Sequence, residues 1–168
     1  MTLTVTEITK ICQDLSDKYN DTFNIPVTIN KRFTSTFGRV SSKPIEENSE
    51  CYQPIKLEMS ASFLQKATYD SIISVIKHEW AHYYLIKTTG YPHGHDAKFK
   101  ALCAEIDCEG SSTYMPETSA PMFKYTLYCN TCDKVLGHYS RMCATLKNIA
   151  DCRCAKCGEA NLSYTQNF

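Results

Sequence analysis

No stretch of this chain approaches the ~20 consecutive apolar residues that a membrane helix needs. The longest apolar runs are a few residues, such as Tyr83-Tyr84-Leu85-Ile86, so no membrane span is expected. The opening residues, MTLTVTEITK, have no basic segment followed by an apolar one. No secretion signal is therefore expected, and the expected location is cytoplasmic. Neither sign of charge is in excess, because 18 Lys+Arg oppose 18 Asp+Glu. Whole-chain charge thus argues neither for nor against a polyanionic partner. Glycine and proline number only six each, and no repeat or low-complexity tract is present. Collagen-like and disordered chains are excluded on composition.

What is present is ordinary globular composition, 43% apolar and 21% charged over 168 residues. That length suits one compact unit, or one unit with a small appendage. The unusual feature is ten cysteines. In a reducing compartment disulfides rarely persist, so cysteines at paired spacing point to metal ligation and the rest to small buried thiols.

Thr4-x-x-Glu7 reads as a capping box, followed by Ile8, Ile11, Cys12, Leu15 and Tyr19 at helical spacing, so a helix is predicted over about 5–20. Val27 and Ile29 alternate with polar residues, as do Ile55, Leu57 and Met59, and both segments read as strands. Phe37-Gly38-Arg39-Val40 reads as a strand between them, and polar residues 41–53 as a loop. One helix and a small antiparallel sheet are expected in this half. From Tyr69 to Thr89 the pattern is helical on nearly all sides, with Gly90 as the stop, which predicts a buried helix. A further helix is predicted over about 96–107. Residues 109–121 are rich in Gly, Ser, Thr and Pro and read as a linker.

Within the buried helix lies His78-Glu79-Trp80-Ala81-His82. Residues four apart on a helix sit about 40° apart around its axis, so both imidazoles can converge on one ion. Glu79 projects about 60° from His82, clear of the ion yet within reach of a water on it. Zinc brings the pKa of such a water toward ~7, and a carboxylate can take its proton. Five His and ten Glu placed at random would give on the order of 0.01 such strings. Solvated side chains on a surface helix are the bland alternative, but a buried helix makes unpartnered imidazoles and a carboxylate costly.

A catalytic zinc wants a third protein ligand and an open position. Leu85 stands where a metzincin needs glycine, which excludes that subclass. Glu105 is available as a gluzincin-type ligand. The stronger candidates are His93 and His95, in the loop Tyr91-Pro92-His93-Gly94-His95-Asp96. A histidine just ahead of a helix is fixed by that helix's packing.

KHEWAHYYL, a short glycine-containing loop and then GHDAKFKAL resemble the SprT-like zinc metalloproteases, the group that includes Spartan. The Phe33 … Phe37-Gly38-Arg39 segment and the strand Ile55–Met59 follow that family's order of helix, sheet and active-site helix. The resemblance implies a zincin-like fold and peptide-bond hydrolysis. His95 stands four residues before Phe99, the Spartan-type register, which implies His95 as third ligand beside His78 and His82. His93, six before Phe99, is then a loop histidine near the site that helps orient it. Candidate oxyanion donors are Tyr83, Tyr84, Tyr91 and Tyr114.

Cys129-Asn-Thr-Cys132 and Cys154-Ala-Lys-Cys157 are separated by 21 residues. With ten cysteines, one C-x2-C arises by chance roughly half the time, but two at this spacing beside strand patterns (Phe123–Tyr128, Val135–Tyr139, Leu162–Tyr164) read as a zinc ribbon. Cys152 and His138 are weaker alternatives by spacing. A tail of ~45 residues builds little core, so a structural metal is physically needed. The resembling family often carries such a ribbon. Residues 121–168 hold six Lys/Arg against three Asp/Glu, and four thiolates with one Zn²⁺ remove about two of the resulting three positive charges. Tyr128, Tyr139 and Tyr164 are available for base stacking.

Taken together, the expectation is an α+β chain with a zincin-like metalloprotease domain at 1–112, a linker at 113–121 and a β zinc ribbon at 122–168. One catalytic zinc would sit on His78, His82 and His95, with Glu79 as the base. One structural zinc would sit on Cys129, Cys132, Cys154 and Cys157. By resemblance the substrate is protein on or crosslinked to DNA, with single-stranded or damaged DNA contacted through the ribbon. The competing reading is a zinc-ribbon binding module for nucleic acid or protein whose histidine site is catalytically silent.

Overall fold

Thr4 and Glu7 start the first helix with a reciprocal cap. Glu7 Oε2 accepts from the Thr4 N–H at 2.7 Å and Thr4 Oγ1 accepts from the Glu7 N–H at 3.3 Å, so two orphan donors are satisfied. The helix, α1, spans Val5–Lys18 and buries Ile8, Cys12, Leu15 and Ser16. Residues 2–111, 114–118 and 121–168 are described by a computed structural model, which divides the chain into two units, Met1–Ser119 and Ala120–Phe168. The expected linker at 113–121 includes residues 113, 119 and 120, which lie outside the described residues, as do 1 and 112.

In the first unit α1 is followed by β1 (Val27–Asn30), β2 (Gly38–Pro44), β3 (Tyr52–Ser60), α2 (Ala61–Lys66), α3 (Tyr69–Thr89) and α4 (Ala97–Glu105). The strand order is β1-β3-β2. β2 pairs antiparallel with β3, but β1 pairs parallel with it, Val27 opposite Leu57 and Ile29 opposite Met59. The sheet is therefore mixed, not antiparallel as expected. Alternation shows which side chains point inward, not which way a neighbour runs, and β3 inserts between two strands adjacent in sequence. The expected loop at 41–53 is shorter, residues 45–51, and its two ends belong to the arms of a hairpin. β2 continues to Pro44 and β3 begins at Tyr52, and these arms have water on both faces, so they lack an apolar alternation. The short α2, capped by Ser60 accepting from the Phe63 N–H, is too brief to leave a periodic signal.

α3 is the centre of this unit. Thr68 caps its start and Gly90, at φ 69°, closes its end in the left-handed region. It buries Ile72, Val75, Ile76, Glu79, Trp80, Ala81, Tyr83, Leu85 and Ile86 along its length. The Trp80 indole N–H donates to Ser16 Oγ at 2.9 Å and the Tyr83 hydroxyl to the Thr22 carbonyl at 2.9 Å. These bonds lock α3 against α1 and the turn after it. Among the described residues no helix is long and apolar enough to cross a membrane.

The second unit is a three-stranded antiparallel sheet, β4 (Tyr125–Cys129), β5 (Lys134–Tyr139) and β6 (Leu162–Gln166), in the order β5-β4-β6. A one-turn helix, α5 (Ala144–Lys147), and a 3-10 turn at Ile149–Asp151 cross the gap between β5 and β6. Its core centres on Tyr125, Leu127 and Leu146. Its cysteine pairs stand at the end of β4 and in the turn before β6, the arrangement of a zinc ribbon.

Candidate metal centre

Because His78 and His82 lie one turn apart on α3, their rings face the same way, with centroids 5.1 Å apart. Past the glycine stop the chain turns back, and His95 arrives immediately before α4. Asp96 caps that helix, its Oδ1 accepting from the Phe99 N–H at 3.0 Å. The His95 ring centroid then lies 5.0 Å from that of His78 and 5.2 Å from that of His82. His78 Nε2 and His95 Nε2 are 3.1 Å apart, and one ligand atom from each of the three rings falls within 4.8 Å of the others. A tetrahedral ion with Zn–N bonds of 2.0–2.1 Å places nitrogens about 3.3 Å apart, so the donor set fits zinc.

The far side of two rings is fixed by backbone. His78 Nδ1 is 2.7 Å from the Glu109 carbonyl and His82 Nδ1 is 3.1 Å from the His93 carbonyl. A carbonyl only accepts, so each Nδ1 carries the hydrogen and each neutral ring presents its Nε2 lone pair inward. Burial, with the neighbouring imidazoles, lowers the His82 pKa to about 3. Burial likewise lowers that of His78. Both rings are thus neutral at neutral pH, the form that binds a metal. Phe99 stacks on His82 at 4.1 Å and meets His78 edge-on at 4.8 Å, forming an apolar floor.

Glu79 is 6% exposed and faces β2. Its carboxylate accepts from the Val40 N–H and feels the charge of Arg39. A Cβ on Gly38 would stand 2.5 Å from Glu79 Cγ, so only glycine leaves room for this side chain. Burial raises the Glu79 pKa to about 8, against the pull of Val40 and Arg39. A cation at the imidazole triangle would favour the ionised form. The four groups open onto a cleft of about 460 Å³ whose walls include Phe37–Val40, His93 and Tyr114.

The structure therefore brings together His78, His82 and His95 and sets Glu79 beside them in the cleft. His93 lines the cleft but stays out of the three-histidine group; it gives Nδ1–H to Asp96 Oδ2 at 2.6 Å and serves the cluster through its carbonyl. Glu105 accepts from the Tyr19 hydroxyl at 2.7 Å and does not join the histidine group. Of the four tyrosines, Tyr83 is tied to Thr22, Tyr84 stacks on Trp80, and Tyr91 is exposed. Tyr114 lines the cleft. Sequence reading missed the carbonyls of Glu109 and His93 and the Val40 amide. These are main-chain groups, which no residue type announces.

In the second unit Cys129 Sγ lies 3.5 Å from Cys157 Sγ and Cys132 Sγ lies 3.8 Å from Cys154 Sγ. Tetrahedral Zn–S bonds of ~2.3 Å put sulfurs about 3.8 Å apart, so this set also fits. The two knuckles match in construction. Thr131 and Cys132 aim backbone N–H groups at Cys129, and Lys156 and Cys157 aim theirs at Cys154. Asp133 at φ 52° and Gly158 at φ 79° follow the second cysteine of each. Burial opposes ionisation of Cys129, yet these N–H groups and the neighbouring thiols lower its pKa to about 6. Cys152 instead meets the Asn148 carbonyl, and His138 stacks on Phe123. Neither belongs to the four-sulfur group.

A family model described as SprT-like matches residues 8–120. A protein named SprT-like from Staphylococcus epidermidis is 30% identical over 156 residues, 88% of each chain. One of the same name from Bacillus subtilis is 26% identical over 153 residues, 90% of this chain and 91% of that one. Another from Lactiplantibacillus plantarum is 40% identical over 76 residues, 43% of this chain and 49% of that one. No solved structure matches.

Proposed function

The chain belongs to the SprT-like family, and on that premise we propose that it is a zinc-dependent endopeptidase acting on proteins held on DNA. The observation that carries the proposal is the triangle of His78, His82 and His95, with two rings fixed by carbonyls and a buried carboxylate in the same cleft.

His78, His82 and His95 would hold the catalytic zinc, and Cys129, Cys132, Cys154 and Cys157 a structural one. When bound, zinc polarises the scissile carbonyl and acidifies a water molecule. Glu79 takes the proton from the attacking water and passes it to the departing amine. The Val40 N–H keeps the carboxylate aimed, and the absent side chain at Gly38 keeps its space. Phe99 and the helix wall exclude water from the rear of the site. Tyr114, which lines the cleft, is assigned as the oxyanion donor. Among the described residues β2 has no strand partner on the side away from β3, so an extended peptide can lie along that edge.

Contact with single-stranded DNA is assigned to residues 121–168, where six Lys/Arg oppose three Asp/Glu. Zinc with four thiolates reduces that excess, so stacking on tyrosines carries much of the affinity.

The test compares wild type with Glu79→Gln at matched zinc content, on a DNA-bound protein substrate, with and without single-stranded DNA. Loss of a general base costs about 10²–10⁴-fold, so cleavage by Glu79→Gln falls at least a hundredfold while zinc is retained. Equal cleavage by both proteins overturns the mechanism. Cleavage indifferent to DNA leaves the peptidase and removes the DNA-linked role.

A further inference from the structure

α4 ends in a two-bond cap. The Cys108 N–H donates to the Cys103 carbonyl at 2.9 Å, the Asp107 N–H donates to the Ala104 carbonyl at 3.4 Å, and Asp107 takes φ 56°. This Schellman geometry brings the side chains of its first and last residues together, usually as an apolar contact. Here both residues are cysteines. Their thiols interact directly, Cys103 being buried and Cys108 half-buried, with no disulfide between them. The returning chain is pressed against the helix, since a Cβ on Gly110 would stand 3.3 Å from Cys103 Cβ.

The segment after Cys103 is also hooked to α3. Lys77 Nζ donates to the Asp107 carbonyl at 3.0 Å, the Glu109 N–H donates to Ser74 Oγ at 3.4 Å, and the Glu109 carbonyl accepts from His78 Nδ1 at 2.7 Å. The residue directly after the second thiol is thus the one that fixes a ring of the imidazole triangle.

We propose that Cys103 and Cys108 are an oxidisable dithiol, closed to a disulfide by peroxide, and that closure weakens metal binding at the histidine triangle by shifting the Glu109 carbonyl. The first half stands on the cap geometry alone, and the second rests on the metal reading of the triangle. The step balances as two thiols and one hydrogen peroxide giving one disulfide and two waters. One sulfur attacks the O–O bond, becomes a sulfenic acid and releases the first water. The second thiol then displaces the sulfenic oxygen as the second water, the S–S bond forms, and the two electrons lost by sulfur are those gained by peroxide. An S–S bond of ~2.05 Å is far shorter than any thiol contact. Cys103 is buried on the inner face of α4 and held by the helix, so the movement falls on Cys108 and, through it, on Glu109.

The test uses the zinc-loaded full chain exposed to hydrogen peroxide, then alkylated under denaturing conditions and digested with trypsin. Cleavage after Lys100 and Lys124 leaves residues 101–124 as one peptide holding only these two cysteines. The expected peptide is lighter by two hydrogens, unalkylated, and restored by dithiothreitol. Chelator competition on the same samples is expected to show about tenfold weaker zinc retention at the histidines after oxidation, the scale of a lost orienting partner. Peroxide also attacks the ribbon thiolates, so the comparison is with Cys108→Ser and Cys103→Ala, which keep that loss and lack the additional release. A peptide still dithiol when the exposed Cys51 is oxidised overturns the proposal. A disulfide with unchanged zinc retention overturns its coupling to the site. A reduced chain that binds no zinc at the histidines overturns the peptidase reading and the coupling together, while the peptide mass still decides the disulfide.

Discussion

At the scale of single residues, the least conspicuous one in the cleft makes the strictest demand. Gly38 has no side chain, and a methyl group there meets Glu79 Cγ at 2.5 Å. Gly38→Ala therefore forces the carboxylate out of place while leaving every candidate metal ligand intact. Displacement of a reacting group by about 1 Å costs on the order of a hundredfold in rate. The expected outcome is a kcat reduced about that much with zinc content unchanged, read by peptide cleavage alongside metal analysis. The imidazoles were legible in the sequence because helical spacing turns a string into a geometry, as His78 and His82 show. Their supports were not. The Glu109 and His93 carbonyls and the Val40 amide act through the main chain, which every residue has. His93 illustrates the limit well, since spacing could rank it against His95 as a ligand but could not show its carbonyl behind His82.

At the scale of elements, α3 carries the site, and its end is set by one backbone conformation. Gly90 sits at φ 69°, and a Cβ there would lie 3.6 Å from Cys51, an ordinary contact. Gly90→Ala thus has room and suffers only the left-handed penalty, about 1 kcal/mol. Urea unfolding is expected to show a lower midpoint with an unchanged slope. α3 was readable because 21 residues give a pattern many chances to repeat. The six residues of α2 give it almost none. The hairpin arm of β2 and β3 escaped for a different reason, as both its faces meet water and no apolar alternation marks it. The parallel pairing of β1 with β3 depends on chain direction, which side-chain order does not encode.

At the scale of the whole molecule, the two units rely on different sources of stability. The first has a continuous core around Trp80, Tyr83, Phe63 and Phe99, all essentially fully buried. The second centres on the small cluster of Tyr125, Leu127 and Leu146, the kind of core that a structural metal ordinarily supplements. On the two-zinc reading proposed above, Cys129→Ser is therefore expected to lose the zinc of the four-sulfur site and the β4–β6 sheet signal. Elemental analysis and amide hydrogen exchange across residues 125–166 would check both. Retention of both zinc ions, with normal protection, would remove the four-sulfur site from the account. Clustered cysteines and an intervening polar segment change the texture of the chain between its two parts, and the structure groups residues into the units Met1–Ser119 and Ala120–Phe168.

The bond from Val40 to Glu79 has one more consequence. An edge strand ordinarily offers alternate amides to whatever pairs with it, but here one rung is already taken by the carboxylate. A polypeptide docking along β2 must leave one of its own carbonyls without a main-chain donor opposite Val40, next to the imidazoles. On the proposed peptidase reading, that unmatched rung seats the guest by its backbone and not by its side chains, so the expected cleavage is tolerant of sequence, checked by mapping cut sites in an unfolded substrate.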